Sequence, residues 1–120
     1  MNYFSEKELS CTCCGEYNFD DEFLLVLNQI RERCGFPLIV TSAYRCPNHP
    51  IEAAKENPGQ GEHCTGMAID IGVSHDRAHI LLQVAFSMGI PRIGVNQKGA
   101  GRFIHLGMSP DFPYPTVWSY

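Results

Sequence analysis

Two histidines and one aspartate in the second half of the chain could bind a metal ion together. His63 lies shortly before a glycine turn at Gly66, Asp70 follows His63 by seven positions, and His105 interrupts an apolar stretch. A hydrolytic zinc site needs three nitrogen or oxygen ligands and an open fourth position for water. Each residue also has an ordinary structural role, as a capping histidine, a solvated carboxylate or a histidine hydrogen-bonded to the backbone. The residue types alone leave both interpretations open.

The cysteines form a second group of residues that could do chemistry. Six are present, of which three are clustered and three are scattered: Cys11, Cys13 and Cys14, and then Cys34, Cys46 and Cys64. We expect no export signal, and for such a chain metal-bound or free thiols are favoured over disulfides. The C-x-C-C cluster is a weak zinc signal, because a zinc finger needs a second pair of ligands at a set distance. Small buried hydrophobic residues are the alternative, and we interpret Cys64 as structural.

Composition limits the classes of function. With 120 residues, 44% hydrophobic and 18% charged, positions 1–120 are expected to form one globular domain. A net charge of −4 and a pI near 5.6 argue against a nucleic-acid surface. The first nine residues lack the basic start and apolar core of a secretory signal, so we expect a cytoplasmic protein at synthesis. The lack of a long apolar run argues against membrane insertion, and no pattern indicates an oligomeric state.

The elements that must position these residues follow from hydrophobic spacing. Apolar residues recur every three or four positions over 20–34 and 76–88, which predicts two amphipathic helices. A β-branched run at 38–41 predicts a short strand. Over 66–73 large apolar residues alternate with small or polar ones, which predicts a strand with Asp70 on the face opposite the core.

The remaining segments are predicted from turn residues. A glycine-rich turn separates two apolar runs, at 90–95 and at 102–108, and this pattern predicts two strands joined as a hairpin. Positions 51–61 are expected to form a surface loop with one helical turn, and 109–120 to pack irregularly. Two helices cannot cover both faces of a sheet, so the expected fold class is α+β, a small antiparallel sheet with helices packed against it.

Three segments in order resemble one enzyme superfamily. They are S-A-Y-R at 42–45, H-C-T-G-M-A-I-D at 63–70 and F-I-H at 103–105. This pattern is similar to that of the zinc D-alanyl-D-alanine carboxypeptidases and L-alanyl-D-glutamate endopeptidases, which include phage endolysins and share the hedgehog signalling-domain fold. The resemblance implies a zinc ion bound by His63, Asp70 and His105, and Arg45 gripping a carboxylate or carbonyl of a peptidoglycan stem peptide.

The chain departs from this family at the general base. Better-known members carry an acidic residue three positions before the last histidine, where this chain has Arg102. An acidic residue is also frequent two positions after it, where this chain has Gly107. A guanidinium cannot accept a proton at neutral pH, so another carboxylate must serve or turnover is weak. Glu62 and Asp111 are the nearest candidates in sequence.

Two functions are therefore expected, from different classes. The first is a zinc peptidase of the bacterial cell wall, of phage or prophage type, which would need export, holin-type release or virion delivery. The second is a zinc-stabilised binding or phage assembly module that kept the fold and the metal ligands but lost the base. A carboxylate within reach of the metal would favour the enzyme.

Overall fold

The computed structural model of the chain describes residues 2–55 and 61–120. These described residues form four helices, a 3-10 turn and five strands. In order they are α1 (Glu6–Leu9), α2 (Asp21–Cys34), β1 (Ile39–Ser42), α3 (Pro50–Ala53), the 3-10 turn (Glu62–Thr65), β2 (Ala68–Gly72), α4 (His75–Ser87), β3 (Arg92–Asn96), β4 (Phe103–Gly107) and β5 (Thr116–Ser119).

The strands form one sheet in the order β1-β2-β4-β3-β5. The pairs β1/β2, β2/β4 and β3/β4 are antiparallel, and β3/β4 is the hairpin that the sequence predicts. The predicted α+β fold is confirmed. The prediction of an irregular tail is wrong, because residues 116–119 pair in parallel with β3 and make the sheet mixed.

The two long helices agree with the sequence patterns. Asp20 caps α2 by accepting a hydrogen bond from the Phe23 N–H, and Gly35 ends the helix in the left-handed conformation at φ 74°. Helix α4 begins after Ser74, whose side chain makes no capping hydrogen bond. Both helices bury apolar faces in one core.

Cross-strand register separates the two faces of the sheet. Ile69 pairs with Leu106 and Ile71 with Ile104, and all four side chains belong to the fully buried core. Alternation along each strand therefore points the residues between them to the opposite face. On that face Asp70, His105 and Gly94 are aligned across three strands.

The segment 51–61 contains the helical turn that the sequence predicts, but it does not lie entirely at the surface. Its first residues belong to α3, and Glu52 in that helix is completely buried. Positions 56–60 of the predicted loop lie outside the described residues. Within the described residues, no helix is long and apolar enough to cross a membrane.

Candidate metal centre

The structure brings His63, Asp70 and His105 together. Asp70 and His105 are direct partners on β2 and β4, and the 3-10 turn carries His63 to the same place. Asp70 Oδ1 lies 3.0 Å from His105 Nδ1 and 3.3 Å from His63 Nε2. The three donor atoms lie within 4.8 Å of one another, and all three residues are buried. The cluster has the donor types and number of a catalytic zinc site.

Each histidine is held by the ring nitrogen that faces away from the cluster. His63 Nδ1 lies 2.7 Å from the Ala43 carbonyl oxygen, and His105 Nε2 lies 2.7 Å from Glu62 Oε1. These outer nitrogens must donate, so the inner nitrogens, His63 Nε2 and His105 Nδ1, are the ones that would present lone pairs to a metal ion beside Asp70. Metal-binding histidines are oriented in this way by a backbone carbonyl and a carboxylate. The donor set therefore fits a zinc ion.

Opposite charges outweigh burial within the cluster. Burial raises the pKa of Asp70, but hydrogen bonds from His105 and His63 hold it well below its ordinary value. Burial lowers the pKa of His105, but Asp70 and Glu62 raise it more strongly. The metal-free site therefore favours an ionised carboxylate beside a protonated imidazole. A bound cation would replace that proton.

Glu62 lies behind His105. Its Oε1 is 2.9 Å from Arg92 Nε, and its Oε2 accepts a hydrogen bond from the Ser109 N–H at 3.2 Å. Burial raises the pKa of Glu62, but His105 and Arg92 lower it more, so the carboxyl stays ionised. A carboxylate with three cationic or N–H partners is well placed to orient His105 and poorly placed to take up a proton.

Glycine at position 107 makes room for Glu62. A Cβ added at Gly107 would fall more than an ångström inside van der Waals contact with both carboxyl oxygens and the carboxyl carbon of Glu62. Glu62 therefore occupies the space into which a side chain at position 107 would project. The two residues lie 45 positions apart in sequence, but a side chain at position 107 and the Glu62 carboxyl group cannot occupy this space together.

Arg45 lies beside the cluster. Its Nη2 is 3.5 Å from Asp70 Oδ2, its Nη1 is 3.2 Å from Glu52 Oε2, and its Nε donates to Ser42 Oγ at 2.9 Å. Its backbone N–H donates to the His63 carbonyl, so the loop is tied to the metal-binding turn. The guanidinium is fixed next to the donor atoms with 11% of its side chain exposed.

The C-terminal strand forms a wall of the site. The Trp118 and His105 ring centroids are 5.2 Å apart, and the Arg92 guanidinium lies 4.8 Å from the Trp118 ring centroid. A Cβ at Gly94 would overlap the Trp118 ring, so the indole lies flush against β3. The Trp118 ring therefore lies against one side of His105, which is buried.

A family model described as Peptidase M15 matches residues 2–107. The chain belongs to the Peptidase M15 family. This membership places it in the superfamily of zinc D-Ala-D-Ala carboxypeptidases. No curated protein and no solved structure matches the chain significantly. The matched range includes the donor cluster, Arg45 and Glu62, whereas Trp118 lies beyond it.

For two residues singled out in the sequence, the described hydrogen bonds of this M15 chain show no contact with the donors. Arg102 Nε donates to the Gly99 carbonyl in the hairpin turn at 3.0 Å. Asp111 is exposed, and its described hydrogen bond is from its backbone N–H to Ser109 Oγ. Of the two weak candidates for the base, only Glu62 touches a member of the cluster.

Three functional residues of this M15 chain were missed in the sequence. Glu52 holds Arg45, Arg92 holds Glu62, and Trp118 covers His105. Glu52 had no motif around it. Arg92 could have been suspected as a charge that opens a strand, and Trp118 as the one tryptophan of the chain in an aromatic tail.

Proposed function

We propose that this chain is a zinc peptidase that hydrolyses a peptide bond in the stem peptides of bacterial peptidoglycan. One observation carries the proposal: three buried donors converge, and each histidine is anchored through its other ring nitrogen. His63, Asp70 and His105 would hold the ion. When bound, zinc at such a site supplies Lewis-acid chemistry that polarises a carbonyl and activates water.

The other residues have separable tasks in this proposal. Glu62 and the Ala43 carbonyl keep a proton on the outer nitrogens of His105 and His63, so that both rings present lone pairs inward. Arg45 binds a substrate carboxylate or carbonyl through its planar guanidinium. Because Arg45 Nη2 already lies 3.5 Å from Asp70 Oδ2, a group bound by Arg45 would lie next to the donors.

A stem peptide suits this site chemically. It offers free carboxylates at its D-alanine end and on its D-glutamate residue, and either could pair with Arg45. The superfamily to which the chain belongs includes D-Ala-D-Ala carboxypeptidases. We also propose a phage or prophage setting, because small endolysins resemble this chain.

The test is digestion of purified peptidoglycan and of synthetic stem peptides by zinc-loaded protein. Mass spectrometry of the products identifies a cut at D-alanyl-D-alanine or at L-alanyl-D-glutamate. We expect release of one product, abolished by chelation and restored by zinc. Arg33→Ala, which changes an exposed arginine on α2, is the matched control for Arg45→Ala.

A non-catalytic zinc module is the second candidate. It is favoured by Arg102 at the usual base position and by the three partners that hold the Glu62 carboxylate. Zinc-loaded protein that binds stem peptides but cleaves no bond would establish this alternative. If zinc-loaded protein neither binds nor cleaves stem peptides, the proposal that peptidoglycan is the substrate is overturned.

A further inference from the structure

A second cluster of metal-binding side chains lies outside the site described above. It consists of Cys11, Cys13, Cys14 and Cys46, whose sulfur atoms all lie within 4.8 Å of one another. Cys46 is the member that sequence spacing did not join to the other three. We propose that these four thiolates bind a second zinc ion, which has a structural role.

The sulfur spacing suits one tetrahedral ion. Four sulfurs around zinc at about 2.3 Å lie about 3.8 Å from one another. Cys13 Sγ and Cys46 Sγ are 3.4 Å apart, although 33 positions separate them in sequence. A disulfide would need a sulfur separation of about 2.0 Å, and all six cysteines are free thiols. The four cysteines therefore form no disulfide bond, and their sulfur atoms already lie at distances close to those of a zinc site.

The backbone fixes the position of Cys11 and links it to Cys46. Gly15, in the left-handed conformation at φ 77°, closes a turn in which its N–H donates to the Cys11 carbonyl at 2.8 Å. The Cys46 N–H donates to Cys11 Sγ at 3.3 Å. An N–H donor at a sulfur atom favours its thiolate form over its thiol form. A thiolate is the form that binds metal.

Donor chemistry and access favour zinc. Four sulfur ligands in tetrahedral arrangement select zinc or iron–sulfur chemistry, and a group this compact has room for a single ion. Cys11 and Cys46 are buried, whereas Cys13 and Cys14 are exposed. The ion therefore has two fixed ligands inside and two at the surface, where it can enter.

The ion would fasten the N-terminal segment to the loop that carries Arg45. Cys46 directly follows Arg45, and Tyr44 beside it donates its N–H to the Leu9 carbonyl. The Tyr44 hydroxyl also donates to Glu16 Oε2 at 3.0 Å. An ion held by Cys11, Cys13, Cys14 and Cys46 would add four bonds to these hydrogen bonds and join the two segments directly. We infer that this zinc fixes the position of the Arg45 loop.

Metal content and cobalt spectra separate this site from the first one. Elemental analysis of zinc-loaded protein should find about two zinc ions per chain. Cobalt-substituted protein should show a sulfur-to-cobalt charge-transfer band, which only thiolate ligands produce. Cys13→Ser/Cys14→Ser should lose one ion and this band. His63→Ala should lose the other ion and keep the band, and Cys34→Ser should keep both ions.

Thiol alkylation provides a second measurement on the intact chain. Zinc should slow the reaction of Cys13 and Cys14 with iodoacetamide, although both are exposed, and should leave Cys34 unchanged. The proposal is overturned if cobalt-loaded protein has no charge-transfer band. It is also overturned if mass spectrometry of zinc-loaded protein finds a Cys13–Cys46 disulfide, or if zinc leaves the alkylation rates unchanged. None of these outcomes depends on peptidase activity.

Discussion

Gly107→Ala is expected to destabilise the chain, although glycine to alanine normally favours a strand. The added methyl group would overlap the Glu62 carboxyl group, and that carboxyl holds His105 at 2.7 Å. Glu62 must move away, and the overlap is with its carboxyl end, which is itself held by Arg92 and the Ser109 N–H. The methyl group therefore breaks a network as well as crowding it.

The size of the effect follows from two contributions. Overpacking of a buried site costs about 1–3 kcal/mol, and losing a hydrogen bond to a charged group costs about 1.5–3 kcal/mol. Because the two losses overlap, we expect about 3 kcal/mol in total, which lowers the melting temperature of a domain of this size by roughly 10 °C. Gly101→Ala is the matched control, since a Cβ there meets no atom within 4 Å.

A double-mutant cycle tests the reasoning directly. Gly107→Asp alone should be severe, because two carboxylates would share one space, and Glu62→Ala alone should lose the anchor of His105. Together they should recover much of the loss, since the introduced carboxylate enters the vacated space beside His105. Thermal melts and zinc affinity measure the coupling, which we expect to exceed about 1 kcal/mol. Additive effects, or a Gly107→Ala variant as stable as Gly101→Ala, would refute the reasoning.

Three further predictions concern other members of the site. His105→Ala should lose about one zinc ion per chain and melt at a lower temperature, by elemental analysis and calorimetry, whereas the exposed His79→Ala should change neither. Arg45→Ala should reduce cleavage of stem peptides without reducing zinc content, and an equal loss of both would contradict its role toward substrate. Burial raises the pKa of Glu52, but hydrogen bonds from Lys55 and Arg45 lower it more strongly, so the pKa is below its ordinary value. The stability that Glu52 contributes is therefore present above its unfolded pKa of about 4.3 and lost as the pH falls through its folded pKa. The difference in unfolding free energy between the wild type and Glu52→Gln should be largest near neutral pH and should shrink toward zero at acidic pH. A difference that grows in acid would have the wrong sign.

Local periodicity predicts the part of the site that lies on regular strands. Alternation over 66–73 places Asp70 opposite the core, and the hairpin pattern places His105 on a neighbouring strand. Side chains of a sheet alternate with a period of two, so a strand assignment is enough to assign the face. The fold class follows from the same patterns, which predict both long helices and four of the five strands of the α+β fold.

Residues that meet through irregular segments could not be predicted in this way. Glu62 reaches His105 across 43 positions, and Cys46 reaches Cys13 across 33, because turns return over the sheet. The path of a turn depends on a few residues, and turns lack the periodic hydrophobic pattern from which helices and strands are predicted. Strand β5 was missed for a related reason: a parallel edge pairing has no turn signal that joins it to β3.

The two departures from the family pattern around His105 have different consequences. The loss of an acidic residue at position 107 is offset by Glu62, whose carboxylate lies where a side chain from 107 would project. The loss at position 102 has no such counterpart among the described contacts, because Arg102 binds a turn carbonyl and Glu62 lies on the outer side of the His105 ring. If the chain is the proposed zinc peptidase, orientation of the metal ligands and proton transfer would therefore be the tasks of two separate acidic groups. Glu62 would then orient His105, so we expect zinc binding to be retained, while turnover should be slower by the contribution of a missing general base, about 10²- to 10⁴-fold in rate.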